Sequence, residues 1–291
     1  MSRPHIATAS ELSTLRDLEF VARTTVEGLR HGLHRSPFHG YSAEFSQYRH
    51  YRPGDDLRHV DWKLFARTDR FYTRQFRETT NLHALFVVDV SRSMDYGDKF
   101  ALARRITAVL GTLILDQGDG VGLLAVGDGV RYLPARGGHR HLSAFLKELA
   151  FLDASGTAPL STALARTLGL LKRRGLVIVV SDFYDADALG TMRRLARAGQ
   201  EIVVIHTLSD DELDLPTVGA AEFVDAETGR SVVVQAEAAA AGYASRVKSW
   251  LQDLQTAVRR EGLDYLRVTT GEDLERALRR FVVSRAEGTT A

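Results

Sequence analysis

From residue 81 onward, short apolar runs alternate with segments whose apolar residues recur at helical spacing. Runs such as Leu85–Val88 and Leu176–Val180 are apolar at consecutive positions, which is typical of strands buried on both faces of a parallel sheet. The segment Lys99–Gln117 between them is apolar nearly all round and predicts a buried helix. This β-α-β alternation predicts an α/β fold: a doubly wound, mostly parallel sheet with helices on both faces.

The remaining elements of this part follow from the same patterns. The predicted strands are Ala84–Asp89, Val121–Val126, Val130–Leu133, Leu176–Ser181, Glu201–Thr207 and Tyr265–Val268. The predicted helices are Lys99–Gln117, His141–Leu152, Pro159–Arg173, Ala186–Ala198, about Glu237–Gly262, and Asp273–Arg280. Two short turns containing Gly predict hairpins, one at Gly127–Gly129 and one at Glu227–Gly229, between Ala221–Asp225 and Ser231–Gln235.

The first 80 residues have a different pattern. A helix is predicted over about Ser10–Leu33, and a dense polar and aromatic stretch follows it. Within that stretch, Glu44–Arg52 and Arg70–Glu78 alternate like strands, and Pro53–Asp56 marks a turn between them. We therefore predict an N-terminal α+β extension, residues 1–80, packed beside a sheet domain, residues 81–291.

Composition narrows the function classes. Lys and Arg number 38 against 37 Asp and Glu, so the overall charge gives no reason to expect a nucleic-acid partner. The absence of cysteine excludes disulfides, thiolate zinc sites and a cysteine nucleophile. No apolar run approaches the ~20 residues of a transmembrane helix, and the first 20 residues do not resemble a signal peptide. We expect a soluble cytoplasmic protein, or one peripheral to a membrane complex.

Oxygen-bearing side chains occur in three loops at one predicted edge of the sheet. Asp89, Ser91 and Ser93 follow the first strand, Thr157 precedes the Pro159 helix, and Asp182 follows strand Leu176–Ser181. Ligands of such sheets bind at the carboxyl ends of the strands, where these loops meet. Hard oxygen ligands suit Mg²⁺, or another divalent cation such as Mn²⁺ or Ca²⁺. The same side chains are also typical helix caps, and a residue that caps can also ligate.

Two family resemblances sharpen this hypothesis. Asp89-x-Ser91-x-Ser93 resembles the D-x-S-x-S signature of the metal-ion-dependent adhesion site (MIDAS) of von Willebrand factor A-type domains. Several segments, the P-G-D-D…D-W-K run above all, resemble the signature of the DUF58 family. They are Tyr51–Lys63, Ala66–Thr68, His34–Ser36, Gly40–Phe45 and Asp225–Gly229.

The resemblance implies a von Willebrand A-like domain with the signature block beside it. It maps Asp89, Ser91, Ser93, Thr157 and Asp182 onto the adhesion-site ligands, with Ser91, Ser93 and Thr157 expected to bind the ion directly. Ser155 and Ser161 remain alternatives to Thr157. The family resemblance further implies cooperation with a MoxR-type AAA+ ATPase in assembling or remodelling protein clients, and no established enzymatic activity.

The signature block allows two interpretations. Its mixed charges can form a structural ion-pair network that clamps a turn. Alternatively, its aromatic and charged side chains form a partner-docking surface, with Trp62 and Tyr51 as anchors. The residues of that predicted surface are Tyr51, Arg52, Asp55, Asp56, Arg58, Asp61, Trp62, Lys63 and Arg67.

These observations favour a non-catalytic, divalent-metal-dependent protein-interaction module. The alternative is a Mg²⁺-dependent phosphohydrolase or phosphotransfer protein that uses Asp89 as its nucleophile. Haloacid-dehalogenase-like enzymes carry a second Asp two residues after the nucleophile, and Ser91 stands there in this chain. A purely structural domain without an ion is a further alternative.

Overall fold

The computed structural model of the chain describes residues 8–30, 43–52, 60–78, 82–171, 173–214, 219–226 and 228–286. The chain divides into two compact units, one built from residues 1–38 and 83–291 and the other from residues 39–82. Each unit is described by itself.

The larger unit contains a six-stranded sheet. Its strands are β3 (His83–Val88), β4 (Gly120–Val126), β5 (Val130–Arg136), β6 (Leu176–Ser181), β7 (Glu201–Leu208) and β10 (Asp264–Thr269). They lie in the order β10-β7-β6-β3-β4-β5, and all neighbours run parallel except β5, which is antiparallel to β4. The predicted doubly wound α/β fold is confirmed.

The apolar runs lie in the middle of this sheet. Strands β3, β4, β6 and β7 are buried almost throughout, because helices cover both faces. Those helices are α1 (Ala9–Arg30), α3 (Lys99–Asp116), α4 (His139–Ala150), α5 (Leu160–Leu170), α6 (Ala188–Arg197), α7 (Ala236–Arg260) and α8 (Leu274–Ala286). Most of α3 is buried, as its apolar pattern predicts.

Helix α1 belongs with this larger unit, which differs from the sequence-based division at residue 80. Its face of Leu18, Ala22, Val26 and Leu29 is buried, and α1 packs against α3 and α4. An ion pair of 3.2 Å between Asp17 and Arg105 also joins α1 to α3. The helix is amphipathic, and helices α3 and α4 of the same unit cover its apolar side.

Two hairpins complete the larger unit. The predicted turn at Gly127–Gly129 joins β4 to β5, with Val126 paired to Val130. The second hairpin consists of β8 (Ala220–Val224) and β9 (Ser231–Gln235), which are antiparallel and lead into α7. Both predicted hairpins are confirmed.

The smaller unit is an antiparallel pair of strands with a short helix between them in the chain. Strands β1 (Ala43–His50) and β2 (Tyr72–Glu78) confirm the two predicted strands, and α2 (Trp62–Thr68) is an element that the sequence analysis missed. Asp61 begins α2 as its N-cap, because its Oδ1 accepts hydrogen bonds of 3.0 Å from the backbone N–H groups of Lys63 and Leu64. The predicted turn at residues 53–56 lies outside the described residues.

In the part of the chain that the structure describes, no helix combines the length and the apolar character needed to cross a membrane.

Candidate functional site: a hydroxyl and carboxylate cluster at the sheet edge

Asp89 stands at the carboxyl end of β3 and is held rigidly. Its backbone N–H donates to the carbonyl of Val180 on the neighbouring strand at 2.9 Å. Its Oδ1 accepts from the backbone N–H of Ser91 at 2.9 Å, and its Oδ2 accepts from the Ser181 hydroxyl at 2.6 Å. Only 6% of the residue is exposed. Both carboxylate oxygens therefore have fixed directions.

The protonation of Asp89 reflects this burial. Burial, and after it the negative charge of Asp182, raises the pKa of the Asp89 carboxyl to about 6, although the hydrogen bonds from Ser181 and Ser91 act to lower it. At neutral pH, Asp89 therefore carries a buried charge. A cation bound nearby would stabilise that charge.

The hydroxyls of Ser91 and Ser93 converge beside Asp89. The two Oγ atoms are 3.1 Å apart. Ser91 is the last extended residue before a 3₁₀ segment at Arg92–Asp98, and its side chain makes no capping hydrogen bond to that segment. Capping therefore does not explain the orientation of the Ser91 hydroxyl.

The second predicted loop, which contains Gly156 and Thr157, contacts the D-x-S-x-S motif through its backbone. The N–H of Gly156 donates to the carbonyl of Val90 at 2.8 Å, and Ser91 and Gly156 form a parallel bridge. A Cβ on Gly156 would lie 2.5 Å from the Cα of Gly127, so this approach requires glycine. Thr157 follows directly and is exposed, and its hydroxyl donates to Asp128 Oδ1 at 3.3 Å. The predicted loop is next to the motif, while the Thr157 hydroxyl is hydrogen-bonded to Asp128, which is not among the predicted site residues.

Asp182, in the third loop, is paired with a buried lysine. Asp182 is 1% exposed, and its Oδ2 accepts from Lys99 Nζ at 2.8 Å. The Lys99 side chain is fully buried, and its Nζ also donates to Glu212 Oε1 at 2.5 Å. In the sequence, Lys99 marks only the beginning of a predicted helix, and Glu212 is not among the predicted site residues. Neither belongs to the D-x-S-x-S spacing.

Glu212 connects this cluster to two further elements. Its Oε1 also accepts from the Tyr184 hydroxyl at 3.1 Å, and its Oε2 accepts from the backbone N–H of Ser209 at 2.8 Å. Its backbone carbonyl accepts from the Tyr243 hydroxyl of α7 at 2.9 Å. Burial raises the pKa of the Tyr184 hydroxyl, and the charge of Glu212 adds to the effect, so Tyr184 stays a donor. The Ser209-x-x-Glu212 capping box was the signal in the sequence that could have found Glu212.

The donor set matches a hard divalent cation. Hydroxyl and carboxylate oxygens from Asp89, Ser91, Ser93 and Asp182 are the ligands that Mg²⁺, Mn²⁺ and Ca²⁺ accept. Over the described ranges, no three His, Cys, Asp or Glu side chains form a metal-binding group. A cation site here would therefore depend on the hydroxyls of Ser91 and Ser93.

The predicted docking residues of the smaller unit have diverse environments. Trp62 is 56% exposed and meets Phe65 and Phe71 edge-on, each at 6.3 Å between ring centroids. Asp61 is 4% exposed, caps α2, and accepts from the Tyr48 hydroxyl at 2.9 Å, so its carboxylate has a structural role. Arg52, Lys63 and Arg67 are exposed, Tyr51 is half-buried, and Asp55, Asp56 and Arg58 lie outside the described residues.

Comparisons with known sequences point to one family. The family model described as "Protein of unknown function DUF58" matches residues 47–250. An uncharacterized protein of Mycobacterium tuberculosis is 30% identical over 289 residues, which cover 96% of this chain and 91% of the relative. The uncharacterized protein YeaD of Bacillus subtilis is 25% identical over 185 residues, or 63% of this chain and 40% of the relative.

Solved structures with partial similarity are also known. The conserved hypothetical protein BatB from Bacteroides thetaiotaomicron has a TM-score of 0.46 at 17% identity, covering 71% of this chain and 99% of that one. Proximal thread matrix protein 1 from the mussel byssus, with a zinc-occupied MIDAS motif, has a TM-score of 0.34 at 16% identity, covering 44% of this chain and 36% of that one.

Proposed function

The chain belongs to the DUF58 family, and we propose that it is a non-catalytic, divalent-cation-dependent protein-interaction module. The observation that carries the proposal is the pair of hydroxyls, Ser91 Oγ and Ser93 Oγ, 3.1 Å apart beside the buried carboxylate of Asp89. The family resemblance adds the expectation of a MoxR-type AAA+ ATPase and its protein clients as partners.

In this proposal, Ser91 and Ser93 bind the cation directly, and Thr157 turns from Asp128 to join them. Asp89 and Asp182 lie behind the hydroxyls and provide the negative charge. Neutral hydroxyl ligands leave a divalent cation incompletely neutralised, so a bound ion would supply a positive contact for an acidic side chain of the partner. The cation would be Mg²⁺ in the cell, with Mn²⁺ and Ca²⁺ as alternatives.

The surroundings of Asp89 argue against the phosphohydrolase alternative. A nucleophilic carboxylate needs a free oxygen facing its substrate, whereas both oxygens of Asp89 accept hydrogen bonds and the residue is 6% exposed. The second Asp that would donate a proton is replaced by Ser91. A phosphatase assay with Mg²⁺ and p-nitrophenyl phosphate tests this alternative, and turnover that is lost in Asp89→Asn would support it.

Metal binding is tested with a double variant, Ser91→Ala with Ser93→Ala. We expect Mn²⁺ to bind the wild-type protein, as seen by electron paramagnetic resonance, and its affinity to fall at least about tenfold in the variant. Ser143→Ala removes an exposed hydroxyl from α4 and serves as the matched control. Equal Mn²⁺ affinity in the wild type and the double variant would contradict the proposal.

Partner binding is tested by capture of a MoxR-type ATPase from the same organism. We expect retention in Mg²⁺, and loss in excess chelator and in the double variant. Retention that is the same in all three conditions would separate the ATPase interaction from the metal site.

A further inference from the structure

A fully buried lysine next to a cation site needs an explanation. Lys99 Nζ lies 2.8 Å from Asp182 and 2.5 Å from Glu212, and its side chain has no exposed surface. Burying an ammonium group costs free energy that its two carboxylate partners must offset. Lys99 cannot touch a partner protein, so it acts on the site through charge.

The charges of the cluster are matched to a divalent cation. Asp89, Asp182 and Glu212 are three carboxylates, and Lys99 is one ammonium, which leaves two net negative charges at neutral pH. A divalent ion brings this cluster to neutrality. Without the lysine, the occupied site would keep one net negative charge and would repel an incoming carboxylate.

We propose that Lys99 is the built-in counter-cation of this site, lowering its affinity for a free divalent ion and raising the affinity of the ion-loaded site for a carboxylate ligand. The inference rests on the proposed function, and it makes Lys99 and Glu212 positioning residues for an acidic partner. Glu212 opposes Lys99, because its charge stabilises a bound cation and repels the carboxylate. The side chain of Glu212 is 13% exposed, so it is close to solvent while remaining bonded to Lys99.

The hydrogen bonds around Glu212 also fix the position of the Lys99 ammonium group. The Tyr184 hydroxyl and the Ser209 backbone N–H hold the two oxygens of Glu212, and the Lys99 Nζ lies 5.1 Å from the centre of the Tyr184 ring. Glu212 is thereby held against Lys99, whose Nζ also contacts Asp182. A charge kept in place in this way needs no rearrangement when a ligand arrives.

Two variants change the charge in opposite directions. Lys99→Met removes the positive charge with little change of side-chain length, and Glu212→Gln removes a negative charge while keeping the Lys99–Asp182 pair. Lys147→Met, at an exposed position of α4, is the control. Each full-length protein is titrated with Mn²⁺ alone and with Mn²⁺ in excess acetate, which serves as the carboxylate probe.

A unit charge within about 10 Å of the ion, at an effective dielectric of about 20, alters ion affinity by at least about tenfold. We therefore expect Lys99→Met to bind Mn²⁺ alone at least about tenfold more tightly and to lose the tightening by acetate. Glu212→Gln should bind Mn²⁺ alone more weakly and keep or increase the acetate effect. The control should match the wild type.

The outcomes separate the two proposals. If the wild type binds no Mn²⁺, or if acetate has no effect on it, the proposed function itself fails, and the role of Lys99 with it. If the wild type responds as expected but both variants shift Mn²⁺ affinity in the same direction, Lys99 is only a structural ion pair. Should Lys99→Met not fold, Glu212→Gln still decides, because tighter Mn²⁺ binding by that variant overturns the inference.

Discussion

Replacing Asp89 by asparagine should stabilise the metal-free protein at neutral pH, although Asp89 lies at the centre of the site. The asparagine carbonyl can accept the Ser91 N–H as Oδ1 does now, and its amide can donate to the Ser181 hydroxyl oxygen. That oxygen already accepts from the Phe183 N–H at 2.9 Å and has a second lone pair for the amide. The substitution therefore keeps both contacts, with the donor and acceptor of the Ser181 contact exchanged, and removes a buried charge.

The size of the effect follows from the pKa of Asp89, which burial raises from 3.8 to about 6. Each pH unit of difference corresponds to about 1.4 kcal/mol, so the ionised carboxylate costs the folded protein about 3 kcal/mol at pH 7.5. Because the pKa is higher in the folded state, the protonated form favours folding. Its stabilising contribution is complete below pH 3.8 and is lost as the pH rises through 6. The advantage of Asp89→Asn is therefore largest above pH 6 and falls to about 1 kcal/mol at pH 4.5.

Urea unfolding in chelator at pH 7.5 and pH 4.5 measures this difference. Asp253→Asn, at an exposed position of α7, is the matched control and should change stability by less than about 0.5 kcal/mol at both pH values. In Mn²⁺, the wild type should gain stability and Asp89→Asn should not. The difference in unfolding free energy between the two proteins should therefore shrink. A stability change in Asp89→Asn that is the same at both pH values would refute the reasoning, since it would show that the buried charge has no cost.

Three further substitutions test the structure. Gly156→Ala should destabilise the protein by about 1–3 kcal/mol in urea unfolding, because its Cβ would meet the Gly127 backbone, and an unchanged midpoint would contradict that close approach. Asp61→Ala should cost about 1–2 kcal/mol and speed proteolysis of the smaller unit, since it removes the α2 cap, whereas exposed Lys63→Ala should have no such effect. Phe145→Ala should cost about 3–5 kcal/mol, because this fully buried ring packs on β3 and α3, and a loss below about 1 kcal/mol would exclude that packing.

Much of the sheet unit is predictable because its signals are local. Consecutive apolar residues in β3 and β6 indicate strands buried on both faces, and the all-round apolar α3 indicates a covered helix. The short helix α2 was missed, because seven residues in a charged and aromatic segment give little periodicity. The surface against which α1 packs could not be predicted from its amphipathic pattern either. An amphipathic helix shows that one face needs covering without showing which surface covers it.

The candidate site also has one part that the sequence predicts and another part that it does not. The spacing Asp89-x-Ser91-x-Ser93 lies on one strand end, so the sequence alone was enough to propose hydroxyls beside a carboxylate. The contact of Lys99 with Asp182 joins residues 83 positions apart, and its contact with Glu212 joins residues 113 apart. A local pattern carries no information about such pairs, because they form only when the parallel strands bring their carboxyl ends to one edge. The chemistry of the proposed ligands could therefore be predicted from the sequence, while the contacts of Lys99 depended on the tertiary structure.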